Sequence, residues 1–199
     1  VEVESLAGDT QITSDSTVDA TATGIGGTAV ALYGYATGDS AIQNSGDLHA
    51  TASNADGTAV GIFSYAANGN ANATNSGSVY ADAVNGAAFG LLAASGDTAL
   101  ASNSGYVLAQ GLYAVAATAQ SAGNAAVANG GLAVAMGDAH AEALLAISNG
   151  GSATVDNTSV AYAHAYGDAV AMHSIAAGNA TATNTGMAYA YSYSGTASG

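Results

Sequence analysis

The sequence predicts an all-β fold: a single-chain right-handed parallel β-helix, or β-solenoid. It has about seven coils of 26–31 residues, each with three short strands. Three observations predict it. An Asn followed by a small residue and Gly recurs along the chain. A Gly followed by a small polar residue precedes each Asn by six or seven positions. Runs alternating with period two fill the intervals.

The first marker falls at Asn44, Asn75, Asn103, Asn129 and Asn184, with a weaker copy at Asn157-Thr-Ser. The second falls at Gly38, Gly69, Gly96, Gly123, Gly151 and Gly178. A third, apolar marker precedes each Gly: Val30, Val60, Phe89, Val115, Ala143 and Val170. A divergent copy opens the array, with Ser14 in the Asn place and Val18 starting a strand. After each Asn comes an alternating run such as Ser78-Val-Tyr-Ala-Asp-Ala, then a turn, then a second run such as Thr58-Ala-Val-Gly-Ile-Phe-Ser-Tyr. A Gly-Asp or Gly-Asn turn leads to a short third run such as Asn179-Ala-Thr-Ala-Thr. Ala favours helix, but the 3.6-residue period is absent and Gly, Asn, Ser and Thr recur throughout.

Coils of this kind stack at about 4.8 Å, so equivalent residues lie above one another. The repeated Asn is expected to form an amide ladder at a corner. Ala and Val line the narrow interior, and the marker Gly residues occupy corners that need positive φ. Residues 1–199 read as one domain. Residues 1–13 form an N-terminal strand and docking segment, 14–186 the repeats, and 187–199 a C-terminal edge strand and tail. The opening at Val1, without Met or a basic leader, reads as a mature start.

Composition excludes several functions. The chain has 14 acidic residues and no Lys, Arg, Pro, Cys or Trp. No cationic footprint exists for nucleic acid. Disulfides and thiolate metal sites are excluded. The uncharged stretch Thr98–Gly137 is too interrupted by polar residues to span a membrane as a helix. No catalytic constellation stands out, and no enzyme is expected. Asp15 and Asp19 share one strand face as solvated carboxylates. His49, His140, His164 and His173 lack close metal-ligand spacing. Asp39, Asp97, Asp138 and Asp168 offer oxygen at turns, but the calcium nonapeptide Gly-Gly-x-Gly-x-Asp is absent. No cofactor is expected, with calcium at these turns the minor alternative. Thr21/Thr23 and Thr181/Thr183 read as ordinary strand residues.

The unit Asn75-Ser-Gly-Ser-Val-Tyr-Ala-Asp-Ala, with Ala88-Phe-Gly-Leu-Leu and Gly96-Asp-Thr-Ala, resembles repeats in the passenger domains of bacterial autotransporter adhesins and related large surface proteins. The resemblance covers about Ser14 to Ser194. It implies a right-handed parallel β-helix, secretion to the cell surface, and adhesive or matrix roles. The membrane barrel usual in that family has no counterpart in residues 1–199. A lesser resemblance, to trimeric adhesin head repeats, rests on Thr28-Ala-Val-Ala-Leu and Gly131-Leu-Ala-Val-Ala-Met-Gly-Asp.

Both ends of such a stack read as uncapped strands. Val1, Val3 and Leu6 mark one end; Met187, Tyr189, Tyr191 and Tyr193 mark the other. The expected function is a structural extracellular protein that joins copies of itself head to tail into a filament, in a surface appendage or biofilm matrix. The alternative is an adhesin segment of a longer chain, with cell-surface glycans or host surfaces as partners. Tyr162, Tyr166 and the terminal tyrosines suit either aromatic cross-strand pairs or an interface.

Overall fold

Alternation of small inward and polar outward residues makes each run a strand. The computed structural model describes residues 1–199 and contains 20 strands and no helix. We number them β1 to β20 in chain order. Every strand pairing is parallel, and each strand pairs with its equivalent one coil away. The result is a β-solenoid of about seven turns with three faces.

The first face holds β1 (Glu2–Ser5), β4 (Thr28–Ala36), β7 (Thr58–Ala66), β10 (Ala87–Ser95), β17 (Asp168–Ala176) and β20 (Ala197–Ser198). The second holds β2 (Thr10–Ser14), β5 (Ser40–Asn44), β8 (Ala71–Asn75), β11 (Thr98–Asn103), β13 (Asn124–Asn129), β15 (Ala153–Asn157) and β18 (Ala180–Asn184). The third holds β3 (Val18–Ala22), β6 (Asp47–Ala52), β9 (Ser78–Ala83), β16 (Val160–Ala165) and β19 (Met187–Ser192). Two coils depart from three separate strands. In β12 (Tyr106–Ser121) and β14 (Leu132–Ser148) the third and first faces run on as one bent strand. Each lacks the turn residues that separate the faces elsewhere, such as Asn54–Gly57, and the register shifts between Gly111 and Tyr113 instead.

The interior is narrow, and Ala dominates it. Its larger side chains stack in columns, such as Leu32, Ile62, Leu91, Leu144 and Met172 on the first face, a column interrupted by Ala117. With so little apolar bulk, the 147 backbone hydrogen bonds carry much of the order. On the first face the pairing skips Ala31, Gly61, Gly90, Ala116, Ala143 and Ala171. Alternation resets there: Ala29 and Leu32, three apart, both face the core.

Three expectations need correction. The marker glycines Gly38, Gly69, Gly96, Gly123, Gly151 and Gly178 do not adopt positive φ; Gly26 is the one Gly that does, at 67°. They are needed because the coils approach too closely for a Cβ. A Cβ on Gly69 would stand 2.6 Å from the Gly38 carbonyl oxygen, and one on Gly178 would stand 2.7 Å from that of Gly151. Gly96 also lies one residue out of column, because Ala99, three residues after it, pairs with Ala71, which is only two residues after Gly69. Finally, the apolar column Val30, Val60, Phe89, Val115 and Val170 continues through Glu142, not Ala143.

Candidate functional site

The Asn column of the second face is a continuous one-way chain of amides. Asn44 Nδ2 donates to Asn75 Oδ1 at 2.9 Å, Asn75 to Asn103 at 3.0 Å, and Asn103 to Asn129 at 2.9 Å. Asn129 donates to Asn157 at 2.8 Å, and Asn157 to Asn184 at 2.8 Å. Each Nδ2 also donates to the carbonyl two residues on, as Asn44 does to Gly46 at 2.9 Å. Asn side chains favour such local turn bonds, so sequence and stacking agree here. No buried polar side-chain atom lacks a partner.

The two ends of this ladder differ. At the base, Ser14 donates its hydroxyl to the Ser16 carbonyl at 3.4 Å. At the top, Asn184 Oδ1 accepts from Asn157 and from the Gly186 amide, while its Nδ2 has no partner in the chain. Ala180, Ala182 and Asn184 are exposed, whereas their column mates Ala153 and Val155 are 0% exposed and Asn157 1%. The base rung is better covered: Thr10, Ile12 and Ser14 are buried.

A second ladder runs along the corner before the second face. Asp9 Oδ1 accepts the Asp39 amide at 2.8 Å, and Asp39 Oδ1 accepts the Asn70 amide at 2.7 Å. Asn124 Oδ1 accepts the Ser152 amide at 2.9 Å. Asp39 is thus engaged in stacking. No group of three or more His, Asp or Glu is arranged to hold a metal ion.

Val1, Val3 and Leu6 are exposed at the base, where the Val1 ammonium donates to the Ala31 carbonyl at 2.7 Å. Met187, Tyr189 and Tyr191 point outward from β19, not along the axis, since Ala188 and Ala190 take the inward places. The terminal tyrosines instead build a lateral surface. The Tyr166 and Tyr193 rings stack with centroids 5.2 Å apart, and His164 meets Tyr191 edge-on at 5.0 Å. Below them lies an open notch of about 390 Å³, between the third and first faces. Gly111 and Gly137 line it where β12 and β14 run without a turn, together with Asp82, Asn85, Gln110, Asp138, His164 and Tyr166.

One further cluster sits on the outer side of the first face. The Glu142 carboxylate is buried between His173 Nδ1 at 2.9 Å and His140 Nε2 at 3.2 Å. His140 and Glu142 share one face of β14 two residues apart, and only the coil period brings His173 of β17 to them. Asp168 Oδ1 accepts the Thr196 amide at 2.7 Å and its hydroxyl at 2.8 Å, which holds the Asp168 carboxyl below its usual range. Burial, then the Tyr80 phenol, pushes the Tyr106 phenol up.

No protein-family model, curated protein or solved structure matches this chain.

Proposed function

We propose that the chain is a structural protein that stacks end to end with copies of itself into an extracellular filament. The carrying observation is the top rung. Its inward Ala180, Ala182 and Asn184 are exposed, although the same columns are fully buried one coil below. A further rung is what covers those columns everywhere else in the molecule. Strand edges at both ends supply unpaired backbone groups for it. Such a contact joins unlike surfaces and does not close, so it extends as a fibre. The resemblance to adhesin passenger repeats supports the extracellular setting. Electron microscopy and light scattering of the purified chain over a concentration series test this. Fibres of uniform width are the expected result; monodisperse single particles at every concentration sink it.

A second reading, binding of glycans or host surfaces along the side of the rod, is favoured by the notch with its stacked Tyr166 and Tyr193. Aromatic faces with nearby carboxylates and amides suit an uncharged sugar, and the absence of Lys and Arg disfavours an acidic one. Glycan binding that disappears in Tyr166→Ala with Tyr193→Ala supports this reading; binding unchanged by that pair removes it.

A further inference from the structure

We infer the register of the junction between copies: Ser14 of the incoming copy seats on Asn184 of the copy below, with Asp9 on Asn179. This rests on the stacking reading above and goes beyond it by fixing which atoms meet. The columns set the register. Ser14 and Asn184 are the two ends of one column, and Asp9 and Asn179 lie five residues earlier in each rung. The strands they belong to match, since β2 and β18 each have five residues.

The chemistry of the two ends is complementary in this register. The Asn184 amide leaves a free Nδ2 donor at the top. The base needs only an acceptor, and Ser14 supplies a hydroxyl oxygen where every other coil has Asn. At the corner, an Oδ1 from the coil below accepts an amide N–H from the coil above, as Asn124 does from Ser152. Asn179 Oδ1 stands in that role for the Asp9 amide. Asn179 carries no charge. Thus Asp9 meets an amide, not a like charge. Packing fits as well: Ile12 comes over Ala182, and the column already holds a large residue against a small one where Ile42 meets Ala73. A slip of two residues would keep the same face inward but would set Ser14 against Ala182 and leave the Asn184 donor without its acceptor.

Two experiments test the register. The chain has no cysteine, so an engineered pair is its only thiol pair. Thr13→Cys with Thr183→Cys leaves Ser14 and Asn184 in place and puts two thiols on adjacent rungs, about 4.8 Å apart at Cα, within the span of a disulfide. Diamide accepts the two electrons and two protons released as each S–S bond forms between copies. A ladder of covalent multimers is expected on a non-reducing gel. The pair Thr13→Cys with Thr181→Cys, two residues out of register, is expected to give none. Fibres of the native chain with no ladder from the first pair, or with a ladder from the second, overturn the register and leave stacking intact. Absence of both fibres and multimers overturns stacking itself. In the second experiment, Asn184→Asp keeps the acceptor for Asn157 and Gly186, removes the free donor and adds one negative charge. It is expected to raise the concentration needed for assembly about tenfold or more. Thr183→Asp, which adds the same charge on the outward side, is expected to change it much less. Equal effects of the two variants overturn the ladder contact.

Discussion

Gly90 and Val107 face each other across the narrow interior so closely that a Cβ on Gly90 would overlap Val107 Cγ1. Gly61 and Val79 repeat the relationship one coil below. In the next two coils the same columns hold Ala116 with Ala133, and Ala143 with Ala161. Ala31 shares the Gly column where the third face supplies Leu48, which is unbranched at Cβ. Where the third face carries Val, the first face therefore carries Gly, and where it carries Ala, the first face carries Ala.

That pairing predicts a rescue. Gly90→Ala is expected to destabilise the fold by about 1–3 kcal/mol through overpacking. Val107→Ala in the same chain is expected to recover part of it, because the double variant recreates the Ala116 and Ala133 arrangement. A double-mutant cycle by urea unfolding measures the coupling. Strictly additive losses would refute the size pairing.

Breaking the amide ladder at its centre is expected to cost more than breaking it at the top. Asn103→Ala strips the Asn75 Nδ2 of one acceptor and the Asn129 Oδ1 of one donor in a fully buried column. A loss of about 2–3 kcal/mol is expected from calorimetry or denaturant unfolding. Asn184→Ala in monomeric chain is expected to cost under about 1 kcal/mol, since that rung is exposed.

Glu142 is the one carboxylate in a column that otherwise holds Val30, Val60, Phe89, Val115, Val170 and, at its end, Ser198. Replacing a buried ionic group by a residue of fitting apolar shape is often stabilising. Glu142→Val is expected to raise stability by about 1 kcal/mol and to leave the assembly unchanged. A lowered melting temperature would show that the bonds to His140 and His173 outweigh the burial of charge.

Acid is expected to release the last strand. The Asp168 carboxyl is held below its ordinary value by the Thr196 amide and hydroxyl, so folding favours its charged form. The contact is fully present above the unfolded Asp value of about 3.9 and is lost as pH falls through the lower folded value. Amide exchange at Thr196 is expected to accelerate across that range in the native chain. In Asp168→Asn the acceleration is expected to vanish; its persistence would assign the release to another group.

Chains of like charge resist meeting. At a formal charge of -14 per chain, assembly is expected to strengthen as ionic strength rises from low salt towards 0.15 M and above. Sedimentation at a series of sodium chloride concentrations reads this. A monotonic fall in pelleted protein would count against end-to-end stacking of these acidic rods.

The repeat was legible because stacking makes equal demands on equal positions. Asn44, Asn75, Asn103, Asn129, Asn157 and Asn184 announce their column by recurring with a Gly two residues on, or Ser159 in one case. Small inward residues likewise show the interior. What stayed hidden depends on offsets between coils. Gly96 slips by one residue because its interval to Asn103 is seven and not six, and Glu142 escaped notice because Ala143 looked the more apolar choice. The continuous strands β12 and β14 were hidden as well, since a missing turn leaves no residue to mark it. The notch followed from that missing turn.

The amide bonds of the ladder reach only one coil, spanning 26 to 31 residues of chain. No part of the thread has to search for a distant relative. Closing a loop of this length has a cost that grows only with the logarithm of its size, and the same modest closure recurs at each winding. Order can therefore spread from whichever winding forms first, as a zip advances tooth by tooth, and damage at one tip need not be felt at the other.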